Sequence, residues 1–256
     1  GGSVSLSVGD YTTQRFTIGS RRNASSGYTQ FYDGQLDDVR IYNQTLNADQ
    51  VKTLYKTRNP IGYEVGHWKL DGNANDSSGN GLNGTLGSGA FTPTLTTDRY
   101  GNSNSAYSFD GGAHNSDTGD YIDLTSHVSS LDMSSNNSLT ISSWIYVSNY
   151  SSDYRAVFSA YNNVSSNITS YRLTVSNSGI PYFTQSTYHV ASPEQISLNT
   201  WYHLSVTFDG TTRNLYVDGI LKASNSQSEA LKSLDPSGSL SVTIGRHPTD
   251  DFWNGK

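Results

Sequence analysis

Trp201-Tyr202-His203-Leu204-Ser205-Val206-Thr207-Phe208-Asp209-Gly210, followed by Leu215-Tyr216-Val217-Asp218-Gly219, is the stretch on which the fold turns. Tyr202, Leu204, Val206 and Phe208 alternate with Trp201, His203, Ser205 and Thr207. A period of two places successive side chains on opposite faces of a strand. Asp209-Gly210 supplies a turn and Leu215 to Gly219 a return, so the segment reads as a β-hairpin. The pattern recurs upstream, where Leu139, Ile141, Ser143, Ile145 and Val147 alternate with Thr140, Ser142, Trp144 and Tyr146. Residues 66–72, 106–111 and 120–124 read as further strands, and Asp76-Ser77-Ser78-Gly79-Asn80-Gly81 as a tight polar turn.

Composition agrees with this reading. Of 256 residues, 34% are apolar and 15% charged, and the polar remainder is Ser, Asn, Thr and Gly. Glutamate occurs only at Glu64, Glu194 and Glu229, so helix formers are scarce while Tyr, Thr, Val and Ile abound. There is no cysteine, which excludes disulfides, thiolate metal sites and thiol catalysis. The net charge of −6 is spread without a basic stripe, which argues against a nucleic-acid partner. No apolar run approaches membrane-spanning length. Gly1-Gly2-Ser3 lacks the charged start and apolar core of a secretory leader, as expected of a mature form or an internal fragment. Asn-X-Ser/Thr sequons begin at Asn23, Asn43, Asn75, Asn83, Asn136, Asn149, Asn163 and Asn167, and as a group favour an extracellular or cell-surface setting.

The chain also repeats itself. Phe16-Thr17-Ile18-Gly19 matches Val242-Thr243-Ile244-Gly245, and Phe31-Tyr32-Asp33-Gly34-Gln35 matches Phe252-Trp253-Asn254-Gly255-Lys256. The period is that of a whole β-sandwich domain. After the first copy come the alternating strand Leu36-Asp37-Asp38-Val39-Arg40-Ile41-Tyr42 and a short helical stretch from Leu46 to Tyr55. Asn47 with Gln50 approaches a capping box, and Val51, Leu54 and Tyr55 form one apolar stripe. Arg58-Asn59-Pro60-Ile61-Gly62 reads as a break.

Four motifs together carry a family resemblance. They are Trp68-Lys69-Leu70-Asp71-Gly72 with the Asp76–Gly81 turn, Ser108-Phe109-Asp110-Gly111, the Trp201–Gly219 hairpin, and Asp37-Asp38-Val39-Arg40-Ile41-Tyr42. The chain thereby resembles laminin-G-like jelly rolls of the concanavalin-A-like lectin/glucanase superfamily. The resemblance implies an all-β, antiparallel two-sheet jelly-roll sandwich with one short helix near the N-terminus. The last motif closes such domains, yet here it stands near the N-terminus. Residues 1–58 thus read as the closing strands and helix of one repeat, 59–65 as a linker, and 66–256 as a jelly roll lacking its closing strand. Two readings follow: a window from a tandem array, or an N-terminal donor segment that fills the gap within the chain or in a neighbour. Exchange between neighbours would be head-to-tail and would build filaments unless it closed.

The resemblance also implies a structural calcium, with Asp37, Asp71 and Asp110 as candidate ligands. Asp37 shares parity with Val39 and Ile41, so its carboxylate is expected to point inward, where it needs a metal, Arg40 or a backbone amide as partner. Glycosidase relatives place two carboxylates around the scissile bond. Glu64, Glu194 and Glu229 are far apart, and Asp120 and Asp123 would face opposite ways on a strand, so no catalytic residues are assigned. No Gly-X-Ser-X-Gly elbow accompanies the histidines, and His203 reads as a half-buried strand residue. Glycan stacking could use Trp144, Tyr146, Tyr202, Tyr216 or the stretch from Tyr161 to Tyr171, although aromatics at period two also serve as cross-strand packing pairs. The expected role is a non-catalytic structural or adhesive module that meets copies of itself or adjacent repeats. A carbohydrate-binding adhesin is the alternative, with a glycoside hydrolase behind it.

Overall fold

The computed structural model describes residues 17–23, 27–29, 32–57, 64–111, 119–150, 154–162, 168–185, 188–234 and 240–246. In chain order the first strands are β1 (Thr17–Ile18), β2 (Ser20–Asn23), β3 (Gly27–Thr29) and β4 (Asp33–Tyr42), followed by helix α1 (Ala48–Lys56). Then come β5 (Glu64–Trp68), β6 (Thr85–Leu86), β7 (Thr94–Thr96), β8 (Ala106–Asp110), β9 (Ile122–Asp123) and a single helical turn, α2 (Val128–Leu131). The long strands β10 (Leu139–Val147), β11 (Arg155–Asn162), β12 (Ile168–Val175), β13 (Pro181–Gln185) and β14 (Tyr188–Ala191) follow. Last are β15 (Trp201–Phe208), β16 (Thr212–Val217), β17 (Ile220–Ser226) and β18 (Leu240–Arg246). β5 therefore begins inside the stretch read as linker, because Glu64 already pairs with Tyr42.

Two sheets result. One holds β14, β13, β12 and β11, then β9 with β6, β1 and β18 beside it, and β2 and β3 beyond. The other runs β17-β16-β15-β10-β4-β8-β7, with β5 also paired to β4. The long-strand pairings within both sheets are antiparallel. The alternation in β10 and β15 does what its period requires. Leu139, Ile141, Ile145, Val147, Leu204, Val206 and Phe208 face inward, against Val157, Phe158, Leu173 and Phe183 of the other sheet. Each such fully buried side chain contributes about 1.5–3 kcal/mol by leaving water. The hairpin read at Asp209-Gly210 joins β15 to β16. A second hairpin, at Asp218-Gly219, joins β16 to β17, with φ of 51° and 73° at the two turn residues, the mirror-image turn that suits the twist of paired strands.

β4 lies inside the second sheet. One edge pairs with β10; the other pairs with β8 through Asp33–Leu36 and with β5 through Val39–Tyr42. The N-terminal segment thus satisfies backbone groups that β10, β5 and β8 would otherwise leave open. α1 follows β4 and covers the outer face of this sheet, burying Val51 and Leu54 against Tyr42, Leu46 and Tyr216. Its capping box is formed, with Asn47 and Gln50 exchanging side-chain to backbone hydrogen bonds of 2.9 Å.

The register of β4 corrects one expectation. Arg40 stands opposite Ser142 and Asp37 opposite Trp144, so Asp38 and Val39 together face Ser143. Asp38 takes a left-handed backbone with φ of 56°. This bulge lets Leu36, Val39 and Ile41 all enter the core. It also reverses parity, so that Asp37 lies on the outer face beside Trp144 and does not point inward.

Candidate functional site

The outer face of the β10–β4 region carries a charged network built on that bulge. Arg40 clasps Asp38 through Nε–Oδ1 (3.0 Å) and Nη2–Oδ2 (3.3 Å), and donates to Glu64 Oε1 at 3.1 Å. His67 Nε2 lies 2.7 Å from Asp38 Oδ1, and its Nδ1 lies 3.4 Å from Glu64 Oε2. Tyr42 donates its hydroxyl proton to Glu64 Oε1 at 2.9 Å. Arg99 binds Asp37 Oδ2 and lies 3.5 Å from Asp38. All these side chains are nearly withdrawn from water, so each charge depends on its partner.

Protonation follows from this packing. Burial alone would raise the Asp38 carboxyl, yet the His67 hydrogen bond and the Arg40 charge outweigh it and hold it far below the usual carboxylate range. Glu64 is lowered against its burial by His67 and Arg40. Burial would lower His67, but its hydrogen bonds to Asp38 and Glu64 raise it overall. His203, with Nε2 3.2 Å from Ser142 Oγ, is pushed down by burial to about 3 and stays neutral.

Arg99 comes from a turn that Asp98 ties, its Oδ1 accepting from the amides of Tyr100 and Asn102 at 2.8 Å. The Arg99 guanidinium sits 4.5 Å over the Trp144 ring and 4.6 Å over Tyr100, which is 61% exposed. Tyr55 of α1 stacks near Trp144 at 5.5 Å. Arg99 and Tyr55 thus both pack on Trp144, leaving little of its ring for a ligand. The adjacent pair across β10 and β15, Tyr146 and Trp201, is half-buried, with centroids 5.6 Å apart at 55°. Half-buried Gln35 stands beside Tyr146 on β4.

Of the candidate metal ligands, Asp37 and Asp71 line one pocket with Asp38, Arg40, His67 and Lys69. Its volume of about 20 Å³ holds roughly one water, far less than a sugar ring. Asp110 is elsewhere, opposite Asp33 at the far end of β4, four residues and roughly 13 Å of strand from Asp37. There it exchanges backbone-to-carboxylate hydrogen bonds with Asp120, at 2.9 and 3.2 Å. Burial and the charge of Asp110 push Asp120 up to about 6. Arg99 holds Oδ2 of Asp37, and the three candidate carboxylates Asp37, Asp71 and Asp110 do not gather at one point. Among the described residues no group of three Asp, Glu or His side chains converges as a metal site.

The other sequence candidates separate. Tyr202 packs against the core, Tyr216 lies under α1, and Tyr171 is buried and stacked on Phe158 at 5.8 Å. The Tyr161 side chain, Asn163 and Asn167 lie outside the described residues, as does the Asn23 side chain. Asn43, Asn75, Asn83, Asn136 and Asn149 are exposed. Trp201, Gln35 and Arg99 were not among the candidates. Trp201 was legible as the outward partner of Tyr146, whereas no periodicity marks Arg99 in its turn. No helix among the described residues is long and apolar enough to cross a membrane.

No curated protein matches the sequence. Among solved structures, domain 4 of AbnA, a GH43 extracellular arabinanase from Geobacillus stearothermophilus in complex with arabinotriose, is 15% identical, with 73% of this chain and 84% of that chain covered and a TM-score of 0.31. A protein from Bacteroides ovatus described as carbohydrate binding is 14% identical, with 85% and 65% covered and a TM-score of 0.22. Both likenesses are distant. A laminin-G family model described as the concanavalin A-like lectin/glucanases superfamily matches residues 1–52 and 116–256, more than half of the sequence. The two-sheet sandwich and this match together place the chain in the concanavalin A-like lectin/glucanases superfamily.

Proposed function

We propose that the chain is a non-catalytic, glycan-binding module of an extracellular or cell-surface protein, with its ligand held at Tyr146 and Trp201. The observation that carries this reading is the pair of half-buried rings on the outer face of β10 and β15. Gln35 stands beside them, and Arg99, Asp37 and exposed Tyr100 lie one step further along the same face. Sugars present apolar C–H faces to aromatic rings and hydroxyls to amides and carboxylates, so rings flanked by such groups suit them. The superfamily contains both lectins and glucanases. The non-catalytic part rests on the glutamates, each held in a separate ion pair: Glu64 with Arg40, Glu194 with Lys222 and Glu229 with Lys232. The exposed sequon asparagines Asn43, Asn75, Asn83, Asn136 and Asn149 support the extracellular part.

Affinity electrophoresis through gels containing arabinan, xylan, mannan, mixed-linkage glucan or galactan tests the reading. The protein is expected to be retarded in at least one gel. Trp201→Ala or Tyr146→Ala should weaken that retardation at least tenfold, about 1.4 kcal/mol. Tyr182→Ala, in the ring cluster of the other sheet, should leave it unchanged. No retardation in any gel, or retardation untouched by Trp201→Ala, overturns the assignment. Release of reducing sugar from any of these polymers overturns its non-catalytic part.

A second reading, exchange of closing strands between neighbouring copies, is favoured by one observation. β4, inside the second sheet, belongs to a segment that reaches β5 only through residues 58–63. Such a segment could equally complete the sheet of a neighbour.

A further inference from the structure

Two segments of this chain address one position in the first sheet. β1 pairs with β11 through Thr17↔Ser159 and with β9 through Thr17↔Asp123 and Ile18↔Ile122. β18 pairs with β11 through Thr243↔Ser159 and with β9 through Thr243↔Asp123 and Ile244↔Ile122. The other edge of β11 is taken by β12, and that of β9 by β6. One edge of a strand offers a single row of N–H and C=O groups, and one partner saturates it. The channel between β9 and β11 therefore has room for one strand, and both segments meet it residue for residue.

The shared register coincides with the internal repeat. Phe16-Thr17-Ile18-Gly19 and Val242-Thr243-Ile244-Gly245 align with Thr on Thr, Ile on Ile and Gly on Gly. Packing explains the glycine. Gly19 has φ of +88°, and a Cβ there would lie 1.9 Å from the Phe109 ring, so the residue after the Ile must lack a side chain. Ile18 beside it is fully buried in the core. The second copy supplies Gly245 at the matching place.

We infer that the β9–β11 channel is a common acceptor for either Thr-Ile-Gly copy, so that closure by one displaces the other. This deepens the strand-exchange reading: it names the acceptor edges and the two donors. The displaced copy is a strand suited to the same channel in a second copy of this chain.

Because the chain has no cysteine, disulfide trapping is clean. Directly opposed antiparallel residues have Cα atoms about 4.5–5.5 Å apart, within reach of a disulfide. The double variants Thr17→Cys with Ser159→Cys and Thr243→Cys with Ser159→Cys are each expected to oxidise within one chain. In the triple variant, locking residue 17 to 159 should raise the alkylation rate of the thiol at 243 at least tenfold, and the reverse lock should free the thiol at 17. If only one of the two bonds forms, or if locking one leaves the other thiol protected, the shared channel is overturned. Should a Ser159→Cys variant fail to fold, the same comparison runs through Asp123→Cys, which meets both threonines from the β9 side. Mixing Ser159→Cys chains with Thr17→Cys chains at high concentration tests exchange separately. A covalent dimer supports it; its absence, with both intrachain bonds formed, removes exchange between copies and leaves the shared channel standing.

Discussion

At the scale of single residues, Asp38 organises the site. Its left-handed backbone creates the bulge, and its carboxylate balances Arg40 and His67, both almost fully buried. Removing one partner of a buried ion pair leaves an uncompensated charge and costs about 3–5 kcal/mol. Asp38→Asn keeps a side chain that tolerates positive φ, so its loss should fall in that range, measured by urea unfolding. Asp38→Ala should lose about 1 kcal/mol more, because it adds backbone strain to the same charge defect. Equal losses would mean that the bulge relaxes at no cost. None of this was legible in the sequence. Two adjacent aspartates in an alternating strand read as one inward and one outward, and no local pattern shows that Ser143 would face two residues.

At the scale of elements, β4 and α1 act as one unit, the helix covering the part of the second sheet's outer face that holds Tyr42, Trp144 and Tyr216. Tyr55 on the helix reaches Trp144 on β10, while Val51 and Leu54 cover Tyr42 and Tyr216. A nine-residue helix is too short to be stable alone, so its cap and its packing both matter. Asn47→Ala removes the side-chain acceptor for the Gln50 amide and should cost about 1 kcal/mol. In a thermal melt that is a fall of roughly 2–4 °C. The same substitution should leave polysaccharide retardation unchanged at 25 °C, since the Tyr146–Trp201 pair lies on β10 and β15. The helix, its capping box and its apolar stripe were all readable from Asn47, Gln50, Val51, Leu54 and Tyr55, because capping and helical periodicity are local. The surface it would cover was not, because Trp144 lies some ninety residues further along the chain.

For the whole molecule, the groups that shape the response to pH act in different senses, as Asp38 with Glu64, His67 and Asp120 illustrate. Asp38 and Glu64 are held low, so their stabilisation is present above ordinary carboxylate values near 4 and is lost as pH falls through the folded values. His67 is raised, so its contribution is complete below about 6.5 and is lost as pH rises through its folded value. Asp120 works in the opposite sense to Asp38. Raised to about 6, it binds a proton more tightly folded than unfolded, so stability declines between pH 4 and 6 on its account. Asp120→Asn should therefore raise the melting temperature by roughly 2–4 °C at pH 7 and leave it unchanged at pH 4. A larger gain at pH 4 than at pH 7 would contradict the sign of the shift.

The sequence by itself determined the strands at β4, β5, β8, β10, β15 and β16, the inward faces of β10 and β15, the short helix and the superfamily, because alternation, turn chemistry and capping act over a few neighbouring residues; β11 to β14 lack so regular an alternation and were not legible. It also exposed the repeat and the displaced closing motif. Only the tertiary structure decided that β4 sits between β10 and the edges of β5 and β8, that the bulge at Asp38 turns Asp37 outward, and that Arg99 meets it there. Strand order and register depend on which distant edges saturate one another, and a one-residue slip reverses every side chain after it.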